Sequence, residues 1–103
     1  MGKTFQESID EIVAMSTKKN ADYGTAADPL ANVRASEEFG IPAWLGAIVR
    51  LNDKIVRIKS FAKNGRLENE SLRDSLIDIA TYGAIALTLL DQAEDEKVHA
   101  LPD

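Results

Sequence analysis

ESLRDSLIDIATYGAIALTLL, residues Glu70 to Leu90, decides how the rest of the chain is read. Leu72, Leu76, Ile79, Gly83, Leu87 and Leu90 recur at three- and four-residue intervals. At ~100° per residue they share one side of a helix, which predicts a stripe facing a core. Glu70, Asp74, Asp78 and Tyr82 recur every four residues and form a second stripe, each acid one turn above the last. Like charges stacked this way destabilise a helix by about a few tenths of a kcal/mol per pair unless a cation shares the site. A solvated acidic face is the simpler explanation, but on the helical wheel Asp78 falls between Ile85 and Leu89, so the acidic stripe runs into apolar surface. A metal or ligand site is the alternative, and an all-oxygen donor set favours Mg²⁺.

Composition bounds the chemistry. A chain of 103 residues makes one domain that buries about two-thirds of its unfolded surface, small enough for oligomerisation to help. The 45% hydrophobic and 28% charged fractions are those of a globular protein rather than a disordered one. A net charge of −5 argues against nucleic-acid backbones or anionic membranes as partners, while free nucleotides stay within reach. With no cysteine there is no disulfide, no zinc–thiolate site and no thiol catalysis. The first thirty residues carry charges throughout, and no apolar run approaches ~18 residues; both features predict a cytoplasmic protein.

Outward from the decisive stretch, Thr4 to Lys19 reads as the first helix, with Phe5, Ile9, Ile12, Val13 and Met15 as its apolar stripe. Thr4 and Glu7 have the spacing of a capping box, and Lys18 and Lys19 suit the negative end of the helix dipole. An irregular segment follows, and then a short helix predicted from Pro29 to Phe39. Tyr23, beside Gly24, could stack on a nucleobase or anchor the loop on the core; Asn32 and Arg34 are open between surface duty and ligand contact. A long third helix opens at Pro42 and ends at a glycine cap at Asn64-Gly65. Ile48-Val49-Arg50-Leu51 recurs seven residues on as Ile55-Val56-Arg57-Ile58, the pattern of a helix packed lengthwise on another. Apolar residues cover most of its circumference, so it is central or lies at a subunit interface.

Asp53, between Val49 and Val56, needs a partner, and Arg50, Lys54 and Arg57 share a face. Acids for an ion and bases for phosphates then meet where the third and fourth helices run antiparallel. Beyond Leu90 the chain reads as a fraying helix end and a mobile acidic tail, residues 93–103, which carries the only histidine, His99. The expected fold is an all-α antiparallel helical bundle in residues 1–92, with the third and fourth helices as central hairpin. A homodimer or higher homo-oligomer completes it.

KNADYG (Lys19–Gly24), Asn32, RLNDKIVR (Arg50–Arg57) and ESLRDSLIDIATY (Glu70–Tyr82) resemble the successive motifs of the nucleotide modification associated domain family, small all-helical proteins frequent in bacteriophages. That family is similar to the MazG-like, dimeric-dUTPase-like all-α pyrophosphohydrolases, whose acidic helices hold Mg²⁺ while a nucleoside triphosphate is cleaved between its α- and β-phosphates. The resemblance implies Asp53, Glu70, Asp74 and Asp78 as metal ligands, with Glu70 and Asp74 in catalysis. Tyr23, Asn32, Arg50, Lys54, Arg57 and Tyr82 would contact the nucleotide. Where the superfamily has two glutamates three apart, this chain has Arg50 and Asp53. A second expectation therefore stands beside the hydrolase: a phage protein that holds a nucleotide messenger of its host without cleaving it. A third is a helical interaction module.

Overall fold

Gly65 closes the longest-packed helix of the molecule: at φ 77° it caps the helix in a left-handed conformation, its N–H donating to the Phe61 carbonyl at 2.7 Å. A computed structural model describes residues 3–24, 30–65 and 71–100, with backbone only at 21–22 and 96–100. In these residues the protein is all-α. In chain order the elements are α1 (Phe5–Lys18), α2 (Asn20–Tyr23), α3 (Ala31–Arg34) running into a 3₁₀ turn (Ala35–Phe39), α4 (Ala43–Asn64) and α5 (Leu72–Ala100). The predicted third and fourth helices are α4 and α5, and their hairpin is the most extensive packing in the fold. Pro29 lies outside the described residues.

The predicted caps of α1 and α4 hold. Thr4 Oγ1 accepts from the Glu7 N–H at 3.1 Å and the Glu7 carboxylate accepts from the Thr4 N–H at 3.2 Å, completing the capping box. At the start of α5, Ser71 Oγ accepts from the Asp74 N–H at 3.0 Å. Asp74 thus sits in the first turn of a helix, where the positive end of the dipole favours a carboxylate. Gly46 lets α4 approach the 3₁₀ turn: a Cβ there would stand 2.3 Å from Ser36 Oγ and 2.7 Å from Ser36 Cβ.

The core differs from the sequence expectation in a consistent way. On α5 the buried side chains are Ser75, Ile77, Asp78, Thr81, Tyr82, Ile85, Ala86 and Leu89. The stripe predicted to face the core is largely outside: Leu76 is 54% exposed, Leu87 60% and Leu90 37%. The acid–tyrosine stripe is the one that packs against α4. On α1, Phe5, Ile9 and Val13 are exposed and no residue is buried. The physical reason is competition for the α4–α5 seam. Asp78 and Tyr82 find partners on α1, α2 and α4 that an apolar stripe could not offer, and that choice rotates α5 about its axis.

An ion pair joins α1 to α5 through Glu11 and Arg73. Glu11 bonds both Lys3 and Arg73, and the Arg73 and Lys3 bonds lower its carboxyl to about 2. The same Glu11 contact raises Arg73. Hydrogen bonds from the Thr4 backbone and hydroxyl lower Glu7.

α5 continues past the predicted end at Leu90, through Ala100, so the segment read as a tail from residue 93 is helical that far. Residues 91–95 are exposed, and Gln92 accepts from Arg34 at 3.2 Å. Leu72–Asp95 is long and apolar enough, by length and composition, to cross a membrane, with a mean hydropathy of 1.2 and 39% of its window buried. That window holds charged residues; the longest uncharged run in it is Ile79–Leu90, short of the ~18 residues of an uninterrupted apolar span.

Candidate functional site

Burying a carboxylate in an apolar seam is costly unless its charge is answered, and Asp78 is 4% exposed. Two lysines answer it. Lys19, at the junction of α1 and α2, reaches one oxygen at 2.7 Å, and Lys54, one turn after Arg50 on α4, reaches the other at 2.8 Å. Three elements distant in sequence therefore close on one ion cluster.

The aromatic part lies one turn along α5. Tyr82 is 5% exposed and meets Tyr23 edge to face, ring centroids 5.7 Å apart at 78°. The Arg50 guanidinium stands over the Tyr82 ring, 5.3 Å from its centroid. An edge-to-face pair contributes about 0.5–1.5 kcal/mol beyond its buried area, and a cation over a ring a further ~0.5–1 kcal/mol. Tyr23, also 5% exposed, thus performs the anchoring role in the core. Gly24 is buried with extended backbone, φ −179°, a conformation open to any residue.

Lys19 and Lys54 thus converge on one carboxylate, and Arg50 stands beside them over the Tyr82 ring. Arg57 continues the same face of α4 and is exposed. In a protein of net charge −5, the basic side chains of Lys19, Lys54 and Arg50 come together where α2, α4 and α5 meet.

A cleft of about 460 Å³ opens beside Tyr23, between α1 and α5, lined among others by Ser16, Thr17, Asn20, Thr81 and Thr88. Ser16 and Thr17 donate their hydroxyl protons to the Val13 carbonyl at 2.8 and 3.1 Å. Thr81 donates to Ile77 at 2.9 Å and Thr88 to Ala84 at 3.0 Å. With those protons committed to the helices, the hydroxyl oxygens can only accept from whatever enters the cleft.

The remaining predicted residues do not join this cluster. Asp53 is exposed, ~100° around α4 from Lys54. Asp74 is half-buried in the capped first turn of α5, and Asn32 is exposed on α3. Glu70, expected as ligand and base, lies outside the described residues. Among the described residues no three His, Cys, Asp or Glu side chains form a group able to hold a metal ion. A divalent ion at Asp78 would have to displace two ammonium groups.

Sequence reasoning missed Lys19, assigned to the helix dipole. The signal that could have found it was the position of Asp78 between apolar neighbours, which demanded a cation from another element. Ser75 and Thr81, both buried, carried no signal beyond sharing the Asp78 face. Comparison with known proteins leaves the reading to this geometry: no family profile matches the chain, and neither a curated protein nor a solved structure does.

Proposed function

We propose that the protein binds a phosphorylated nucleotide, its anionic part at Lys19, Lys54 and Arg50 and its base or sugar in the cleft beside Tyr23. The observation that carries this reading is the convergence of Lys19, Lys54 and Arg50 on the stretch of α5 that carries Asp78 and Tyr82. Such a cluster attracts an anion without a metal to mediate. The cleft supports the same reading. Its volume falls within the ~300–1,000 Å³ of small-molecule pockets, and hydroxyl oxygens that can only accept match the amino and imino donors of a nucleobase. Binding without cleavage accounts for more of the described residues than hydrolysis, because Asp78 serves its lysines and Asp74 its helix terminus.

Hydrolysis between the α- and β-phosphates is the second reading. It is favoured by the half-buried Asp74 one turn from Asp78 on α5. It requires Mg²⁺ and Glu70, and a carboxylate that activates water for in-line attack.

The test is to incubate the protein with nucleoside triphosphates and cyclic nucleotide messengers, with and without Mg²⁺, and to chromatograph the free and heat-released nucleotides. Depletion of one nucleotide that returns unchanged after heating, with or without Mg²⁺, is the expected result. Conversion of a triphosphate to its monophosphate only in Mg²⁺, lost in Asp74→Ala, would establish the hydrolase instead. A panel that is neither held nor converted would remove the nucleotide reading.

A further inference from the structure

The largest feature that nucleotide binding leaves unused is the exposed stripe of α5. Leu76, Ile79, Gly83, Leu87 and Leu90 are spaced three, four, four and three residues apart, so the stripe is a palindrome centred on Gly83. Its leucines are 54%, 60% and 37% exposed, and a Cβ built on Gly83 would meet nothing within 4 Å. We infer that α5 pairs antiparallel with α5 of a second copy of this chain, across a two-fold axis at Gly83. Leu76 then meets the partner's Leu90, Ile79 meets the partner's Leu87, and the two glycines let the helices approach closely. Self-complementarity of this kind is what an isologous interface requires and what an unrelated partner would have no reason to match.

Charge selects the same arrangement. Arg73, which bonds Glu11 of its own chain and keeps 58% of its side chain exposed, and Asp91 lie on one flank of the stripe, eighteen residues or five whole turns apart. Antiparallel pairing sets Arg73 beside the partner's Asp91, on the same side of the seam; parallel pairing would put these flanks on opposite sides. The hairpin widens the contact, because Ile48 and Ile55 lie ~160° around α4 from Arg50 and Arg57, away from the nucleotide cluster.

The chain has no cysteine, so single substitutions report on register directly. In the whole protein under mild oxidation, Gly83→Cys should cross-link to itself as a dimer. Leu76→Cys should not, because its two copies would be ~21 Å apart along the helices, far beyond disulfide reach. Leu76→Cys mixed with Leu90→Cys should cross-link. Alongside, sedimentation equilibrium should give a dimer for the wild type. Gly83→Gln, which the isolated chain has room for, should weaken association by about tenfold or more and keep its helical circular dichroism. A monomer across the dilution series overturns the inference. So does self-cross-linking of Leu76→Cys, which would mean parallel pairing, or an α5 stripe occupied instead by lipid when the protein is floated with phosphatidylcholine vesicles.

Discussion

Asp78 shows how far a single residue can be read. Its misfit was visible in the sequence, because an acid between Ile85 and Leu89 has to be answered by something. What answers it was not visible. Lys19 lies fifty-nine residues away, and no periodicity connects a helix end to the middle of another helix. Removing one partner of a buried pair leaves uncompensated charge, at a cost of about 3–5 kcal/mol. Asp78→Ala is therefore expected to lower the urea midpoint sharply, by about that much stability. Lys19→Met, with 31% of its side chain exposed, should cost less than Lys54→Met, at 17%. An unchanged midpoint in Asp78→Ala would mean that the carboxylate is not structural. Gly46 makes a second prediction. Alanine there collides with Ser36 Cβ as well as Oγ, so Gly46→Ala should destabilise by about 1–3 kcal/mol, and adding Ser36→Gly should restore most of the loss.

At the scale of elements, the long helices and their capped ends were legible; the short α2, the C-terminal end of α5 and helix rotation were not. Capping boxes, glycine caps and prolines act locally, and Thr4, Glu7 and Gly65 behave as their neighbours in sequence require. Rotation is decided by tertiary partners. The apolar stripes of α1 and α5 were correctly identified as stripes, yet the seam went to Asp78 and Tyr82. α1, with no buried residue, depends on Glu11 and its bonds to Arg73 and Lys3. A carboxyl lowered in the folded state contributes stability that is present above its unfolded value of about 4.5 and lost as pH falls toward about 2. Hydrogen exchange of α1 amides should therefore quicken relative to α4 as pH drops through that window, after correction for intrinsic exchange rates. The difference should shrink in high salt, since these groups are solvent-screened. Equal protection of the two helices throughout would show that α1 is held by other contacts.

At the scale of the whole molecule, the chain is elongated. Its radius of gyration is 15.9 Å, against ~13 Å for a compact domain of about 100 residues, and its extents are 55 × 30 × 24 Å. The all-α hairpin could be expected from patterning alone. Two surfaces of opposite character on that hairpin could not, because they depend on which flank α1 and α2 cover. One flank gathers Lys19, Arg50, Lys54 and the paired tyrosines; the other leaves the palindromic stripe of α5 to a second copy. Association through α5 and anion binding at the cluster use different faces, so Gly83→Gln should leave ligand affinity unchanged and Arg50→Gln should leave the dimer intact.

Phosphate held at the cluster around Asp78 without a metal is what anion binding by this protein comes down to. Isothermal titration of the wild type and Arg50→Gln with inorganic triphosphate, in the presence of EDTA, tests it most directly. Saturable binding by the wild type is expected, weakened about ten- to a hundredfold when the guanidinium is removed, as for the loss of a charge-assisted bond. No heat of binding in the wild type, or equal affinity in Arg50→Gln, would contradict it.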